Sequence, residues 1–244
     1  MTTPNANAQL SAAGEHEIER REGVVLHAYR DQSPKIVNGK RGYPTIGIGH
    51  KMRDGDGYDE SSVITLERAR WQLHQDCEPD LAVIRAKTTV PLTQHQIDSL
   101  VCIGINIGAG DIHGPDNGLD DSTLLKVINC QAGSPGEGLT PQTPEWFAAV
   151  RFQFMRWTRS AGVILPELVK RRAIEATLFE TPDVPADLSN EEKAATMASV
   201  IESIDANMDE VFANHLATHD TDPAELAPTF DPTETPTTKT DLPT

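Results

Sequence analysis

The stretch that decides the fold is REGVVLHAYRD at residues 21–31, followed after a gap by GYPTIGIGH at residues 42–50. Both runs are rich in β-branched and aromatic residues, which favour strands. The dipeptide Asn38-Gly39 between them is typical of a two-residue hairpin turn. We therefore predict a small antiparallel β element over roughly residues 24–50.

Helical patterns dominate the rest of the first 180 residues. The segment before the β element predicts a helix that Gly23 ends, since glycine readily adopts the conformation that stops a helix. From Thr65, a predicted helix cap, to Phe179, apolar residues recur mainly at helical spacing, and one of these helices is predicted to begin after Ser122. The sequence thus predicts an α+β domain over residues 14–180, with a small antiparallel sheet lobe and a mainly helical lobe. Residues 1–13 are predicted to be a flexible N-terminus.

The chain changes character after this domain. Residues 181–189 predict a proline-broken linker that ends in a capping box of Ser189 and Glu192. An amphipathic helix is predicted over residues 190–216, with apolar residues at alternating steps of four and three. Docking on a partner, dimerisation and packing on the first domain all remain open for it. Residues 217–244, rich in Thr, Pro and Asp, predict a disordered acidic tail.

The strong negative charge belongs mostly to the C-terminal part. The chain carries a net charge of −16, and residues 181–244 hold 14 Asp and Glu against 2 Lys, a net −12. Residues 1–180 are therefore close to balance, at −4. Bulk charge does not decide the substrate, and an acidic chain predicts no nucleic-acid partner.

Hydropathy and cysteine usage indicate the compartment in which the protein is made. No run approaches the roughly 18 apolar residues of a membrane span, so no membrane insertion is expected. The first residues show no signal peptide, which predicts synthesis in the cytoplasm; if the substrate lies outside it, another component must deliver the protein. The three cysteines, Cys77, Cys102 and Cys130, form neither a disulfide framework nor a Cys-x-x-Cys metal site. Their spacing fits a reducing compartment.

Two carboxylates in the deciding stretch suggest acid–base chemistry. Glu22 stands at the predicted helix end beside apolar Val24, surroundings that would raise the pKa of its carboxyl, as a proton donor requires. Asp31 follows in a polar neighbourhood that would keep it ionised, and Thr45 adds a hydroxyl able to hold a water between them. Glycoside hydrolysis uses such a pair. Taken alone, these residues also fit a solvated loop.

The motif E-G-x-x-L-x-A-Y-x-D, followed by G-x-x-T-I-G-x-G-H, resembles the catalytic signature of the phage-type lysozymes, glycoside hydrolase family 24. The motif is carried here by Glu22, Gly23, Leu26, Ala28, Tyr29, Asp31, Gly42, Thr45, Ile46, Gly47, Gly49 and His50. The likeness continues through LTQHQIDSLVCIGINIGAG at 92–110 and RWTRSAGVILPELVKRRAIEATLF at 156–179. It covers residues 14–180 in the family's order.

The resemblance implies a lysozyme-like fold and an endolysin-type muramidase. Such an enzyme hydrolyses the β-1,4 bond between N-acetylmuramic acid and N-acetylglucosamine in bacterial peptidoglycan during host-cell lysis. Carried over by position, Glu22 is the general acid, Asp31 the opposing carboxylate and Thr45 the residue that helps place water. Asn106, Arg171 and Arg172 are candidates for substrate binding. The alternatives are capping or turn formation for Asn106 and a solvated helix face for the two arginines. Neither a cofactor nor a metal is expected.

One departure from the family pattern is the gap between the two motifs. Family members commonly have only a few residues there, whereas this chain inserts SPKIVNGKR at residues 33–41. The insertion predicts a longer hairpin tip above unchanged strands. His50, at the end of the second motif, is predicted to be structural and to pair with Asp76.

Three functions compete at this level. The first is a free endolysin, held in the host cytoplasm until it is released to the cell wall. The second is a virion-associated lysozyme that self-associates or docks on a virion partner through residues 190–216. The third is a structural wall-binding component without activity. The presence of Glu22, Asp31 and Thr45 together favours an enzyme, because binding alone needs no acid. We also expect activity to survive deletion of residues 187–244.

Overall fold

The computed structural model describes residues 3–110, 118–160, 162–183 and 189–219. Its helices are α1 (Ala12–Glu22), α2 (Leu66–Lys87), α3 (Gln94–Ile107), α4 (Thr123–Ile128), α5 (Pro144–Phe154), α6 (Pro166–Glu180), α7 (Asn190–Ala206) and α8 (Met208–His219). Its strands are β1 (Val25–Arg30), β2 (Ile36–Val37), β3 (Lys40–Arg41), β4 (Pro44–Gly47), β5 (His50–Lys51), β6 (Arg159–Ser160) and β7 (Val163–Ile164). No helix among these residues is long and apolar enough to cross a membrane.

Short polar side chains start several helices, because they accept hydrogen bonds from N–H groups that lack a partner within the helix. Thr65 accepts from the N–H of Arg68 at 3.1 Å at the start of α2. Ser122 does the same for α4, and Ser189 forms a complete capping box with Glu192 at the start of α7. The predicted helix starts at these three positions are confirmed.

The small lobe is a three-stranded antiparallel sheet in the order β1-β4-β5, with Tyr29 opposite Thr45. The inserted residues form a separate hairpin of β2 and β3. Its turn is Asn38-Gly39, and both residues have positive φ angles, 51° and 75°, as a two-residue hairpin turn requires. The predicted turn is confirmed, and the insertion leaves the pairing of β1 with β4 in place.

The helical lobe is built around α3, which is buried along most of its length between α1, α2 and α6. Trp146 of α5 is buried in the same core as α3. Its indole N–H donates to the carbonyl of Ile128 at 3.1 Å. Phe179 of α6 packs against the Trp146 ring, with ring centroids 5.4 Å apart. One feature was not predicted: the small hairpin of β6 and β7, which interrupts the helices where Gly162 adopts a φ of 81°.

The N-terminal segment is anchored, so the prediction of a flexible segment over 1–13 is wrong for residues 3–13. The buried Asn5 side chain donates to the Thr88 hydroxyl at 2.7 Å, and Leu10 lies in the main hydrophobic core. The reason is that an asparagine side chain can satisfy polar groups of a distant turn, and composition does not reveal such a contact.

The region after α6 is also tied to the main domain where it is described. Asp183, within the predicted linker 181–189, accepts from the backbone N–H groups of Gln94 and His95, each at 2.9 Å. Its carboxylate thereby caps the N-terminus of α3, where negative charge is favourable. Residues 184–188 of the predicted linker and residues 220–244 of the predicted tail lie outside the described residues.

Residues 190–216, predicted as one amphipathic helix, form two helices instead. The chain turns at Asn207, between α7 and α8. The Asn207 side chain donates to the carbonyl of Ser203 at 2.7 Å. A side chain that bonds the helix backbone in this way competes with continuation of the helix, which is the physical reason for the break.

The two C-terminal helices pack on α6. Ile201 and Ile204 are each 7% exposed and share an apolar cluster with residues of α6, among them Val169 and Ile174. Lys170 of α6 also forms an ion pair with Asp205 at 2.5 Å. Of the three possibilities left open by the sequence, packing on the first domain is the one observed. This packing argues against the expectation that residues 187–244 can be deleted without loss of activity.

We predict that Ile204→Ala lowers the free energy of unfolding by about 2–4 kcal/mol, because it leaves a cavity between α7 and α6. Urea unfolding followed by circular dichroism measures the change. Glu202→Ala, an exposed position on the same helix, is the matched control and should stay within about 0.5 kcal/mol of the wild type. Equal effects of the two substitutions would show that α7 does not pack on α6 in solution.

Candidate active site

Glu22 is the last residue of α1, at the junction of the two lobes. Gly23 ends the helix with a φ of 76°, and its N–H donates to the carbonyl of Glu19. The Glu22 side chain is 31% exposed. It rests against Gly49 in the turn between β4 and β5, where an added Cβ would lie 3.4 Å from Glu22 Oε2. The carboxylate is therefore accessible to solvent, and the backbone at Gly49 lies against one side of it.

Arg171 of α6 is the charged partner of this carboxylate. Its Nη1 lies 3.7 Å from Glu22 Oε1, and its side chain is 27% exposed. Burial and the neighbouring charge of Arg21 lower the pKa of Arg171, whereas Glu22 acts in the opposite direction. The apolar surroundings that the sequence predicted for Glu22 are thus incomplete, because a cation faces the carboxylate and Val24 is exposed.

Asp31 lies at the base of the inserted hairpin. Its Oδ1 accepts from the backbone N–H of Tyr43 at 2.7 Å and of Ser33 at 3.1 Å. The predicted polar neighbourhood is therefore present, and these two bonds hold one carboxylate oxygen in place. Gly42 permits this arrangement, since an added Cβ would lie only 2.2 Å from the Asp31 carbonyl oxygen.

Thr45 lies on β4, directly opposite Tyr29 of β1. It is 3% exposed, and its hydroxyl donates to the carbonyl of Tyr43 at 3.1 Å. Burial raises the pKa of Tyr29, and the charges of Asp31 and Glu22 raise it further. Both carboxylates therefore raise the pKa of the same phenol, and Thr45 is the strand partner of Tyr29.

A buried ionic network includes Arg21, the residue that precedes Glu22. Arg172 is fully buried and donates through Nη2 to Glu175 Oε1 at 2.9 Å and to Asn106 Oδ1 at 3.2 Å. Arg21 donates to the same Glu175 oxygen at 2.7 Å. Burial lowers the pKa of Arg172 to about 10, and Glu175 opposes that shift. The alternative of a solvated face is therefore wrong for Arg172, and Asn106 contacts this network.

Sequence reasoning missed the pair of Arg21 and Glu175, which joins α1 to α6. Both side chains are buried, at 8% and 1% exposure. A signal was present, because Arg21 follows the buried residues Glu17 and Ile18 at helical spacing. A charged residue on the buried face of a helix needs a partner, since an unpaired buried charge is very costly.

His50 ties the sheet to α2, and its predicted pairing with Asp76 is confirmed. Its Nδ1 lies 2.9 Å from Asp76 Oδ2, and its Nε2 lies 3.1 Å from Asp56 Oδ2. Burial alone would lower the pKa of His50, but the hydrogen bonds and charges of both aspartates outweigh burial, so the pKa is raised. Among the described residues, no group of three His, Cys, Asp or Glu side chains is arranged to hold a metal ion.

A helical lobe joined to a small antiparallel sheet, with a helix-end glutamate at the junction, defines a lysozyme-like fold. The sequence profile of the phage lysozyme family matches residues 19–175. The chain belongs to this family.

Its relatives include two phage endolysins. The chain is 32% identical over 173 residues to an endolysin of Bacillus phage PZA, a match that covers 71% of this chain and 55% of that protein. It is 30% identical over 172 residues to an endolysin of Salmonella phage P22, covering 70% of this chain and 97% of that protein. The chain therefore spans about half the length of the first relative and nearly all of the second.

A solved structure has the same fold. The muramidase domain of SpmX from Asticaccaulis excentricus matches with a TM-score of 0.53 and 27% identity, over 72% of this chain and 100% of that chain. The family resemblance seen in the sequence is thus confirmed for the fold as well as for the sequence.

We predict that the wild type is stabilised relative to His50→Gln at acidic pH and that this advantage shrinks as the pH rises. The folded-state pKa of His50 is raised above the ordinary 6.5, so its stabilisation is fully present below that value. It is lost as the pH rises through the folded-state pKa. Free energies of unfolding at about pH 5.5 and about pH 9 measure the difference. An advantage that grows with pH would contradict the assignment, and Asp76→Asn in the wild type should weaken the dependence.

Proposed function

We propose that this protein is a muramidase that hydrolyses the β-1,4 bond between N-acetylmuramic acid and N-acetylglucosamine in bacterial peptidoglycan. The observation that carries the proposal is the accessible Glu22 carboxylate at the lobe junction, with Asp31 held by backbone N–H groups on the adjacent sheet. Membership of the phage lysozyme family supports it, as do the endolysin and muramidase names of the relatives.

The two carboxylates would divide the work of glycoside hydrolysis. Glu22 donates a proton to the leaving glycosidic oxygen, which breaks the bond to the anomeric carbon of N-acetylmuramic acid. Asp31 has Oδ1 engaged by the two backbone N–H groups, so Oδ2 is the atom that faces developing positive charge or an attacking water. Water supplies the hydroxyl group of the new reducing end, so no cofactor is needed.

Thr45 would assist with that water. Because its hydroxyl proton is directed to the carbonyl of Tyr43, its oxygen is left to accept a hydrogen bond from a water molecule. Arg171 would hold the Glu22 carboxylate in place and contact substrate beside it. Asn106 has its Oδ1 on Arg172, which leaves its side-chain N–H groups to donate to a sugar.

We propose further that the protein is made in the host cytoplasm and acts on the cell wall once another component releases it. The support is its cysteine chemistry. Cys77, Cys102 and Cys130 are all free, and burial raises the pKa of the Cys77 and Cys102 thiols. Such cysteines need no oxidising compartment.

The alternatives that use residues 190–216 for a partner are less well supported. Ile201 and Ile204, the apolar residues that would meet a virion protein or a second copy, are already buried against α6. A wall-binding component without activity would have no use for a glutamate paired with Arg171 at the lobe junction.

We predict that Glu22→Gln lowers the rate of reducing-end release from purified peptidoglycan by about a hundredfold to ten-thousandfold, because it removes the proton donor. The melting temperature should hardly change, since the substitution keeps the shape of a partly exposed side chain. Glu67→Gln, at an exposed position in the first turn of α2, is the control and should keep full activity. A folded wild type that releases no reducing ends would refute the proposed function.

We predict that Gly49→Ala reduces catalysis while Gly39→Ala does not. Both glycines have positive φ, 70° and 75°, so each alanine should cost about 1–2 kcal/mol of stability. Only the methyl group at position 49 would meet the Glu22 carboxylate, because an added Cβ at position 39 has nothing within 4 Å. Urea unfolding and kcat/KM on peptidoglycan separate the two effects. Equal kcat/KM for both variants would mean that the Gly49 contact does not matter to Glu22.

A further inference from the structure

Positive charge is distributed unevenly between the two lobes. Cations of the helical lobe typically form ion pairs, as Arg85 does with Glu78 and Lys126 with Asp121. In the small lobe and the segment leading into α2, four cations have no carboxylate within ion-pair distance among the described residues. They are Lys35, Arg41, Lys51 and Arg53. This local excess is notable in a chain whose net charge is −16.

Three of these cations lie around the base of the inserted hairpin. Lys35 and Arg41 belong to the hairpin, and the Gly42 N–H donates to the Lys35 carbonyl at 2.8 Å. Lys51 of β5 lies over the Tyr43 ring, 4.6 Å from its centroid. The N–H of Tyr43 is one of the two groups that hold Asp31. The three cations therefore border the candidate active site on its Asp31 side.

The two faces of the hairpin differ. Val37 pairs with Lys40 on one face, where Lys40 contacts Glu60. Ile36 pairs with Arg41 on the other, because side chains alternate along a strand. Ile36 is 68% exposed and Arg41 is exposed too. The hydrogen bond from Gly42 to Lys35 continues this pairing, so Lys35 lies on the Val37 face, where Glu60 supplies negative charge. The Ile36 face instead presents Arg41, whose charge has no carboxylate partner.

We propose that Arg41 and Lys51 form a subsite, here called the small-lobe cation surface, that binds the carboxylates of peptidoglycan stem peptides. The inference rests on the proposed function. In peptidoglycan the stem peptide is attached to the muramic acid, the sugar whose anomeric carbon would lie between the two catalytic carboxylates.

Reach and chemistry both fit this assignment. Arg41 stands two residues from Tyr43, at most about 7 Å apart even for a fully extended chain, so its long side chain reaches groups that project from a sugar beside Asp31. Carboxylates are the groups that an exposed guanidinium binds best, through paired hydrogen bonds. Ile36, beside Arg41 on the same face, offers apolar surface to the alanine side chains of such a peptide.

The test compares two substrates that differ only in the peptide. One is purified peptidoglycan freed of phosphate-containing wall polymers. The other is the same glycan after an amidase has removed the stem peptides and the lactyl carboxylate that this hydrolysis exposes has been converted to a neutral methylamide. For Arg41→Ala we expect KM on the peptide-bearing substrate to rise about fivefold, in line with the loss of one exposed ion pair, and more for Arg41→Ala/Lys51→Ala. The kcat value, and KM on peptide-free glycan, should stay at the wild-type level.

Lys40→Ala is the matched control, because it removes the same charge from the neighbouring residue on the Val37 face. Its KM should stay within about twofold of the wild type. Equal effects of Lys40→Ala and Arg41→Ala would overturn the subsite in favour of general charge attraction. A rise in KM on both substrates, or on neither, would also overturn it, as would an effect seen only while phosphate polymers remain on the wall.

Binding measured without cleavage keeps the inference separate from the proposed function. In a Glu22→Gln background, co-sedimentation with each substrate should show weaker binding by the Arg41→Ala variant to the peptide-bearing substrate alone. A wild type that releases no reducing ends but shows this pattern would refute the enzyme and retain the subsite. An active wild type, together with unchanged binding by the Arg41→Ala variant, would support the enzyme and overturn the subsite. Unchanged melting temperatures check that the exposed substitutions leave the fold intact.

Discussion

The buried contact of Glu175 with Arg21 and Arg172 is the interaction on which the rest of the site depends. It joins α1, α6 and, through Asn106, α3. Arg21 immediately precedes Glu22, and Arg171 immediately precedes Arg172, so the network fixes the backbone on both sides of the ion pair at the lobe junction. Charged side chains that are buried this deeply are tolerated only in ion pairs, because an unpaired buried charge would be strongly destabilising. The position of the candidate acid is therefore tied to the core of the helical lobe.

The small lobe is organised by more local forces. Asp31 accepts hydrogen bonds from two backbone N–H groups at the ends of the inserted hairpin. These bonds hold the two ends of the hairpin together, and β1 remains paired with β4. His50 then fastens the sheet to α2 through Asp76. The insertion thus adds side chains beside the candidate site while β1 and β4 remain paired. The C-terminal helices cover α6, and α7 also contacts α1, the helix that ends at Glu22.

Sequence signals were reliable where the deciding interaction is short in range. Thr65 and Ser122 cap helices that begin at the next residue, and Asn38-Gly39 makes a turn between strands of two residues each. These signals work because the donor, the acceptor and the required φ angles lie within a few residues of one another. The site residues Glu22, Asp31 and Thr45 were found in the same way, from one motif-bearing stretch, but their roles came from the family resemblance.

What the sequence by itself determined is the α+β class, the main helix starts, the hairpin turn and the stretch that holds the candidate catalytic residues. Only the tertiary structure decided that Asn5 anchors the N-terminal segment, that Arg172 is buried and that α7 packs on α6. The physical reason is separation along the chain. Arg21 and Glu175, like Asn5 and Thr88, meet across many residues, and a contact of that kind leaves no periodicity in the sequence, because it depends on where the whole core brings two helices together.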